Sequence, residues 1–291
     1  MNARIEDRVN ILGVGVSALD LSDAVKYVNS FLKTGRKGYI CVTGMHGIME
    51  AQNDSEFREI QNNSFLTTPD GIPTVWAGRL DGYSSMRQVR GADFMLQLCE
   101  SSVNTGTRHF LYGGKPGVAE LLRDVLQLRF PGLQIVGTYT PPFRPLNVQE
   151  ENELRNQLIE SKADVLWCGI STPKQERFMA KYIHSLPVRL MVGVGAAFDL
   201  NAGLLQDSPK WVQACGLQWA HRLCQEPRRL WRRYLLNIPR FVGLYAMQRL
   251  GLRSYEMPYR APGVFPLGTG VNISATQSNT GPHFDPFDVA A

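Results

Sequence analysis

Residues 165–176 are Val-Leu-Trp-Cys-Gly-Ile-Ser-Thr-Pro-Lys-Gln-Glu, an apolar run followed by a loop of small and polar residues. A short apolar run that ends at glycine predicts a buried strand. Residues 174–184 have the pattern of a helix. This stretch therefore predicts a strand, a loop and a helix that belong to a sheet covered on both faces.

The same pattern recurs along the chain. Further strands are predicted at residues 11–16, 39–42, 108–112, 134–138 and 190–194. Helices are predicted at residues 22–32, 48–62, 92–101, 118–130 and 149–161. Because strands and helices alternate, we expect an α/β fold of Rossmann type, with a mainly parallel sheet and helices on both faces. Ligands of such sheets bind beyond the carboxyl ends of the strands, so we expect the functional site in the loops there.

Charge divides the chain into three segments. Residues 1–209 hold 21 Lys and Arg against 22 Asp and Glu, and we expect an α/β catalytic domain there. Residues 210–260 hold ten Lys and Arg, nine of them Arg, against two Asp and Glu. They predict a basic, Trp-containing helical appendage that meets an anion or a membrane surface. Residues 261–291 lack Lys and Arg and are rich in Gly, Pro, Ser, Thr and Asn, which predicts a disordered tail.

Composition excludes several classes of protein. The 291 residues are 44% apolar and 20% charged, as in ordinary globular proteins. The longest apolar stretch, residues 190–198, is far shorter than the roughly 20 residues that cross a bilayer. The start of the chain does not resemble a secretory signal, so we expect a cytoplasmic protein. The five cysteines form no C-x-x-C pair and predict neither a disulfide framework nor a zinc site.

One carboxylate is a candidate general base. Residues 67–71 are Thr-Thr-Pro-Asp-Gly, which by composition is a turn. At the rim of the sheet, Asp70 would be placed to remove a proton from an attacking hydroxyl group. The sequence contains no D-x-D motif that would clamp a divalent cation on a sugar nucleotide. We therefore expect no metal and no cofactor, with other cations neutralising a diphosphate.

Two stretches offer groups for phosphate. Residues 113–117, Gly-Gly-Lys-Pro-Gly, suit a loop whose backbone N–H groups approach a phosphate, but they also suit a plain strand-to-helix turn. In the appendage, Arg222, Arg229 and Arg233 share one predicted helical face. Arginine can bind phosphate through two hydrogen bonds at once, which favours phosphate recognition by this face. The alternative is a charged helix face that is only solvated.

Several stretches, taken together and in order, resemble one known family. They include residues 89–93, Val-Arg-Gly-Ala-Asp; residues 173–176, Pro-Lys-Gln-Glu; and residues 225–234, Gln-Glu-Pro-Arg-Arg-Leu-Trp-Arg-Arg-Tyr. With Thr43 and residues 69–71, 113–117, 192–199 and 216–223, they make the chain similar to the WecG/TagA/CpsF family of bacterial glycosyltransferases (family 26). The resemblance covers roughly residues 10–245.

The resemblance implies a metal-independent inverting transferase. Such an enzyme moves a sugar from a UDP-sugar to a polyprenyl-diphosphate-linked saccharide, as a peripheral protein on the cytoplasmic face of the membrane. Asp70 matches the family's general base, and Thr43 and Gln175 match polar active-site positions. The basic appendage would complete the active site and contact the membrane. The residues expected to bind substrate are His46, Arg90, Gly113, Gly114, Lys115, Gly169, Pro173, Lys174, Asp199, Arg222, Arg228, Arg229 and Arg232.

Two departures from the family pattern concern the donor sugar. An Asn common after Thr43 is absent from residues 43–47, and Asp207 stands where a basic residue is common. The loop after Thr43 is similar to that of the branch making xanthan-type exopolysaccharides, whose donor is UDP-glucose; UDP-N-acetylmannosamine is the donor common in the family. The implied partners are the UDP-sugar, the lipid-linked acceptor and an anionic membrane surface, and a homo-oligomer stays open.

The alternative to an enzyme is a non-catalytic module that binds anionic lipid or nucleic acid through its arginines. A binding module of that kind does not require Asp70 or a glycine-rich rim. Nucleic-acid binding would also require basic residues over the sheet domain, whereas residues 1–209 have a net charge of −1. We therefore expect no nucleic-acid partner.

Overall fold

The computed structural model describes residues 7–257 and 265–266, without the side chains of residues 210, 214, 229, 232, 233, 265 and 266. The predicted tail, residues 261–291, lies outside the described residues apart from one short strand.

A parallel six-stranded sheet forms the centre of the molecule. Its strands, in spatial order, are β4, β3, β8, β7, β5 and β6, and all neighbours in this order are parallel. A short strand, β9, pairs antiparallel with the start of β3. The strands are β1 (Arg8–Ile11), β2 (Val14–Ser17), β3 (Arg36–Thr43), β4 (Leu66–Pro69), β5 (Arg108–Gly113), β6 (Gln134–Tyr139), β7 (Val165–Gly169), β8 (Leu190–Gly193) and β9 (Phe265–Pro266).

Helices follow nearly every strand of this sheet. They are α1 (Leu21–Leu32), α2 (Met45–Asn53), α3 (Ser55–Asn62), α4 (Ile72–Leu80), α5 (Gly91–Thr105), α6 (Val118–Arg129), α7 (Val148–Ser161), α8 (Lys174–Tyr182), α9 (Ala197–Asn201), α10 (Lys210–Ala214), α11 (Gln218–Gln225) and α12 (Pro227–Arg249).

Strand β7 shows why the sheet is buried on both faces. Successive side chains of a strand point to opposite faces. Val165 and Trp167 pack into one apolar cluster with α1, α5 and α6. Leu166 and Cys168 pack into a second cluster with α7 and α8. The predicted mainly parallel sheet with helices on both faces is therefore confirmed.

A third apolar cluster lies beside the sheet. It joins strands β1 and β2 to helices α2, α3, α4 and α12, and includes Ile11, Val14, Ile48, Phe241 and Tyr245. Because Phe241 and Tyr245 belong to it, the second half of α12 is packed against the rest of the protein.

The prediction of one strand at residues 11–16 was wrong. Leu12 and Gly13 have positive φ angles of 53° and 84°, so the chain turns back and β1 pairs antiparallel with β2. The predicted helix at residues 48–62 is two helices, because Asp54 leaves the helical conformation and its side chain accepts a hydrogen bond from Phe57 N–H.

In the described part of the appendage, residues 210–257, the chain forms three helices, α10 to α12. Pro227 lies in the first turn of α12, as expected for a residue without an N–H group. Pro239 does not end this helix, which continues to Arg249. Within the described residues, none of the helices is long and apolar enough to cross a membrane.

Candidate active site

A cleft of about 1260 Å³ opens at the carboxyl ends of β3, β4, β7 and β8. Residues of α11 and α12 form part of its wall. The volume exceeds the roughly 300–1,000 Å³ of common single-ligand pockets.

Most of the residues that the sequence nominated line this cleft. These are Thr43, His46, Asp70, Arg90, Lys115, Gly169, Gln175, Asp199 and Arg222. Five others do not line it: Gly113, Gly114, Pro173, Lys174 and Arg228. The side chains of Arg229 and Arg232 lie outside the described part of the structure.

In the loop after β4, both the backbone N–H and the carboxylate of Asp70 form hydrogen bonds. Its backbone N–H donates to the Thr43 carbonyl at 3.0 Å, which joins the ends of two neighbouring strands. The backbone N–H of Gly91 donates to Asp70 Oδ1 at 3.4 Å. A Cβ atom at Gly44 would lie 3.7 Å from Asp70 Oδ2, so glycine leaves space beside that oxygen. The carboxylate is therefore oriented by backbone groups while it lines the cleft.

Gln88 connects this loop to the appendage. Its Nε2 donates to the Asp70 carbonyl and, at 3.0 Å, to Oε1 of Gln218 at the start of α11. The appendage thus contacts the same segment that positions the candidate base. Neither glutamine was nominated from the sequence, because an isolated Gln has no recognisable spacing.

Gln175 has a fixed amide orientation. Its side chain is buried, and Nε2 donates to Glu176 Oε1 at 3.1 Å and to Thr172 Oγ1 at 3.4 Å. Its Oε1 therefore accepts the Gly195 N–H at 2.9 Å. A Cβ atom at Gly193 would lie 3.0 Å from Gln175 Cδ, so this side chain requires a residue without Cβ there. Gln175 ties the loops after β7 and β8 together.

Arg90 is the most constrained cation of the cleft. Its guanidinium donates to both carboxylate oxygens of Asp93, at 2.6 and 2.9 Å, and to both of Asp207, at 2.9 and 3.1 Å. Hydrogen bonding to Asp93 raises the pKa of Arg90 above its ordinary value. A substrate anion would reach this group by displacing Asp207, whose side chain is 44% exposed.

Three other nominated residues line the cleft from α2, from the loop after β5 and from α11. His46 lies on α2 with Nδ1 3.6 Å from Glu50 Oε1, one turn further along the helix. Lys115 is exposed and lines the cleft from the loop after β5. Arg222 lines it from α11 in the appendage. In the part of the chain that the structure describes, no three His, Cys, Asp or Glu side chains form a metal-binding cluster.

Comparison with known proteins shows to which family the chain belongs. The family model described as the Glycosyl transferase WecG/TagA/CpsF family matches residues 9–255. The chain belongs to this family. The resemblance inferred from the sequence motifs is confirmed, and the protein is a glycosyltransferase.

Two relatives of the WecG/TagA/CpsF family have curated names. Both are called N-acetylglucosaminyldiphosphoundecaprenol N-acetyl-beta-D-mannosaminyltransferase. The protein of Bacillus spizizenii is 29% identical over 225 residues, which are 77% of this chain and 84% of the relative. The protein of Bacillus subtilis is 28% identical over 192 residues, 66% of this chain and 72% of the relative.

In this WecG/TagA/CpsF member the glycines after β5 and β7 have a packing role. At Gly113, with φ of 131°, a Cβ atom would lie 2.6 Å from the carbonyl oxygen of Gly169. At Gly169, a Cβ atom would lie 2.7 Å from the ring of Phe198. The backbone N–H of Gly114 donates to the Gly169 carbonyl at 3.1 Å. Gly113 and Gly114 pack against β7 and do not line the cleft, and the prediction that they bind phosphate stays a prediction.

Gly113→Ala is expected to destabilise the protein by about 2–3 kcal/mol, because the new methyl group meets backbone atoms that cannot move aside. Urea unfolding would measure the loss. Gly117→Ala is the matched control: it also has a positive φ, of 84°, but nothing lies within 4 Å of the added Cβ atom. Equal losses in the two variants would show that backbone conformation, and not the contact with Gly169, decides the residue at 113.

The cleft also has an apolar part that the sequence did not indicate. It is lined by Ile72, Trp76, Ala77, Leu80, Leu230, Tyr234, Ile238, Phe241, Val242 and Tyr245. These residues come from α4 and α12, two helices far apart in the chain, so only the folded structure brings them together.

Proposed function

We propose that this protein is an inverting glycosyltransferase that moves a sugar from a UDP-sugar to a saccharide linked to a polyprenyl diphosphate. The observation that supports this most directly is the lining of one cleft. Asp70, whose carboxylate accepts the Gly91 N–H, lines it together with the cations Lys115 and Arg222. Inversion needs one base on the side of the attacking hydroxyl and positive charge on the side of the leaving diphosphate.

The reaction would proceed in one displacement. As an acceptor hydroxyl group attacks the anomeric carbon, Asp70 takes its proton, the bond from that carbon to the acceptor oxygen forms, and the bond to the diphosphate oxygen breaks. UDP leaves with the bonding electrons, and Lys115 and Arg222 stabilise its developing charge. Arg90 contributes only where the diphosphate displaces Asp207.

Thr43 and Gln175 would act through the loops that they hold. The Thr43 carbonyl accepts the N–H of Asp70, and the Gln175 amide fixes Gly195. Both contacts set the shape of the cleft around the reacting carbon. We assign these two residues to positioning, with the proton transfer left to Asp70.

The donor is either UDP-glucose or UDP-N-acetylmannosamine. The curated names of the two Bacillus relatives favour N-acetylmannosamine. The absence of Asn from residues 43–47 and the carboxylate of Asp207 favour a different sugar, and with it a role in exopolysaccharide synthesis. Asp207 lines the cleft, where its carboxylate is placed to bind a sugar hydroxyl group.

The test is an assay of UDP release with pure protein. The donors are UDP-glucose, UDP-N-acetylmannosamine and UDP-N-acetylglucosamine, and the acceptor is a short-chain lipid carrying diphosphate-linked N-acetylglucosamine or a diphosphate-linked disaccharide. We expect UDP release that depends on both donor and acceptor, with a product of higher mass. Folded protein that transfers no sugar from any donor would overturn the proposal.

The protein is proposed to act at an anionic membrane surface. On α12, exposed Arg228 and Arg240 accompany Leu235 and Leu236, which are 55% and 62% exposed. A basic residue close to such a surface contributes about 1 kcal/mol to binding. Salt should therefore release the protein from anionic vesicles, because it screens this attraction.

Transfer is expected to need no divalent cation. The chain has no D-x-D motif, and Lys115 and Arg222 are available to the diphosphate. Rates in EDTA should therefore equal those in added Mg²⁺ or Mn²⁺. Loss of activity in EDTA that added metal restores would contradict this expectation.

A further inference from the structure

The apolar part of the cleft is a groove between α4 and α12. On α4, Trp76 and Leu80 lie one turn apart and are 58% and 63% exposed. On α12, Ile238 and Val242 have the same spacing, and Val242 is 59% exposed. Side chains of this size that stay open to solvent in a cleft mark a surface suited to an apolar ligand.

The two walls of the groove are fixed to each other. The Tyr245 hydroxyl donates to the Ala77 carbonyl at 3.1 Å, and Arg249 forms an ion pair with Asp81 beyond it. Phe241 and Tyr245 are almost fully buried beneath the exposed residues. The groove is therefore already formed before a ligand arrives.

The groove and the charged residues of the site belong to one cleft. Asp70, Lys115 and Arg222 line the same cleft as the stripe from Tyr234 to Tyr245 on α12. At 1.5 Å per residue this stripe is about 16 Å long. A ligand that matches both sets of residues has an anionic head and a hydrocarbon tail.

We propose that this groove binds the first isoprene units of the acceptor's polyprenyl chain, next to its diphosphate. The inference rests on the proposed function. A bilayer would meet a different face of α12, because Trp231, Leu235 and Leu236 are exposed but do not line the cleft. The inner stripe faces the transfer site, which favours the acceptor's own chain over bulk lipid.

The test compares two soluble acceptors without vesicles or detergent. Both carry the same diphosphate-linked saccharide, one on an ethyl group and one on a farnesyl group, which has three isoprene units. We expect wild-type kcat/KM to be at least about tenfold higher for the farnesyl acceptor, through a lower KM. In the double variant Trp76→Ala/Val242→Ala, this preference should fall about tenfold.

Folding should survive these substitutions, since both side chains are more than half exposed. Met247→Ala is the matched control: Met247 is 43% exposed on the same helix and lies outside the cleft, so the farnesyl preference should not change. An unchanged preference in the double variant would overturn the groove proposal. If the farnesyl preference appeared only after anionic vesicles were added to the same assay, that result would also overturn it, in favour of membrane lipid. Absence of transfer to both acceptors would instead defeat the proposed function.

Discussion

Asp70→Asn is expected to lower turnover by about 10²–10⁴-fold, the range typical of a lost general base. The amide has nearly the shape of the carboxylate, and its oxygen can still accept the hydrogen bond from Gly91 N–H. It cannot take the proton of an attacking hydroxyl group. The fall should therefore appear in kcat, with KM for the donor little changed, when UDP release is measured under saturating acceptor.

Asp124→Asn is a suitable control, because Asp124 lies on α6 with a side chain 64% exposed and away from the cleft. It should keep full activity, and both variants should unfold at the wild-type urea midpoint. Near-normal turnover of folded Asp70→Asn would remove Asp70 from the role of base. Asp199, the other nominated carboxylate that lines the cleft, would be examined next.

The sheet was predictable because its strands are continuous apolar runs. The prediction missed β4, in which two of the four residues are threonine. Thr67 and Thr68 of β4 are fully buried, yet their sequence indicated a turn. The Thr67 hydroxyl donates to the Gln61 carbonyl at 3.1 Å, and its N–H donates to Ser17 Oγ at 3.1 Å. Such partners make burial of polar groups tolerable, but Ser17 lies 50 positions from Thr67, and no local pattern marks this contact.

The candidate site was predictable where it follows from topology. Parallel strands end at one edge of a sheet, so the predicted strands that end near Thr43 and before Gln175 were expected to bring these two residues there. Asp70 follows β4, which was not predicted, so its place at this edge was not a consequence of the predicted topology. The contacts of the appendage and of the segment before it were not predictable. The bonds of Gln88 with Gln218 and of Arg90 with Asp207 join residues more than 100 positions apart, and no periodic pattern marks them.

The arginines of the appendage differ in their position relative to the cleft. From the sequence, Arg222 and Arg228 had equal standing as phosphate ligands. In the structure Arg222, on α11, lines the cleft, whereas Arg228, on α12, is exposed outside it. A helix pattern gives the relative direction of side chains on one helix, but the break between α11 and α12 changes it.

Arg222→Ala is expected to lower kcat/KM for the UDP-sugar by about 10–150-fold. This corresponds to about 1.5–3 kcal/mol for the loss of a charge-assisted hydrogen bond to phosphate. Arg222→Lys should recover part of the activity, because lysine keeps the charge but not the bidentate geometry. The assay uses a soluble short-chain acceptor, so that membrane attachment plays no part in the rate.

Arg228→Ala provides the matched control, since it removes the same charge from the same segment without changing the lining of the cleft. It should leave the rate on the soluble acceptor unchanged and weaken binding to anionic vesicles. The opposite pattern, with Arg222→Ala fully active on the soluble acceptor and impaired only on vesicles, would make Arg222 a membrane contact alone. The positive charge that stabilises the leaving diphosphate would then come from Lys115, and Lys115→Ala would have to show the loss expected here for Arg222.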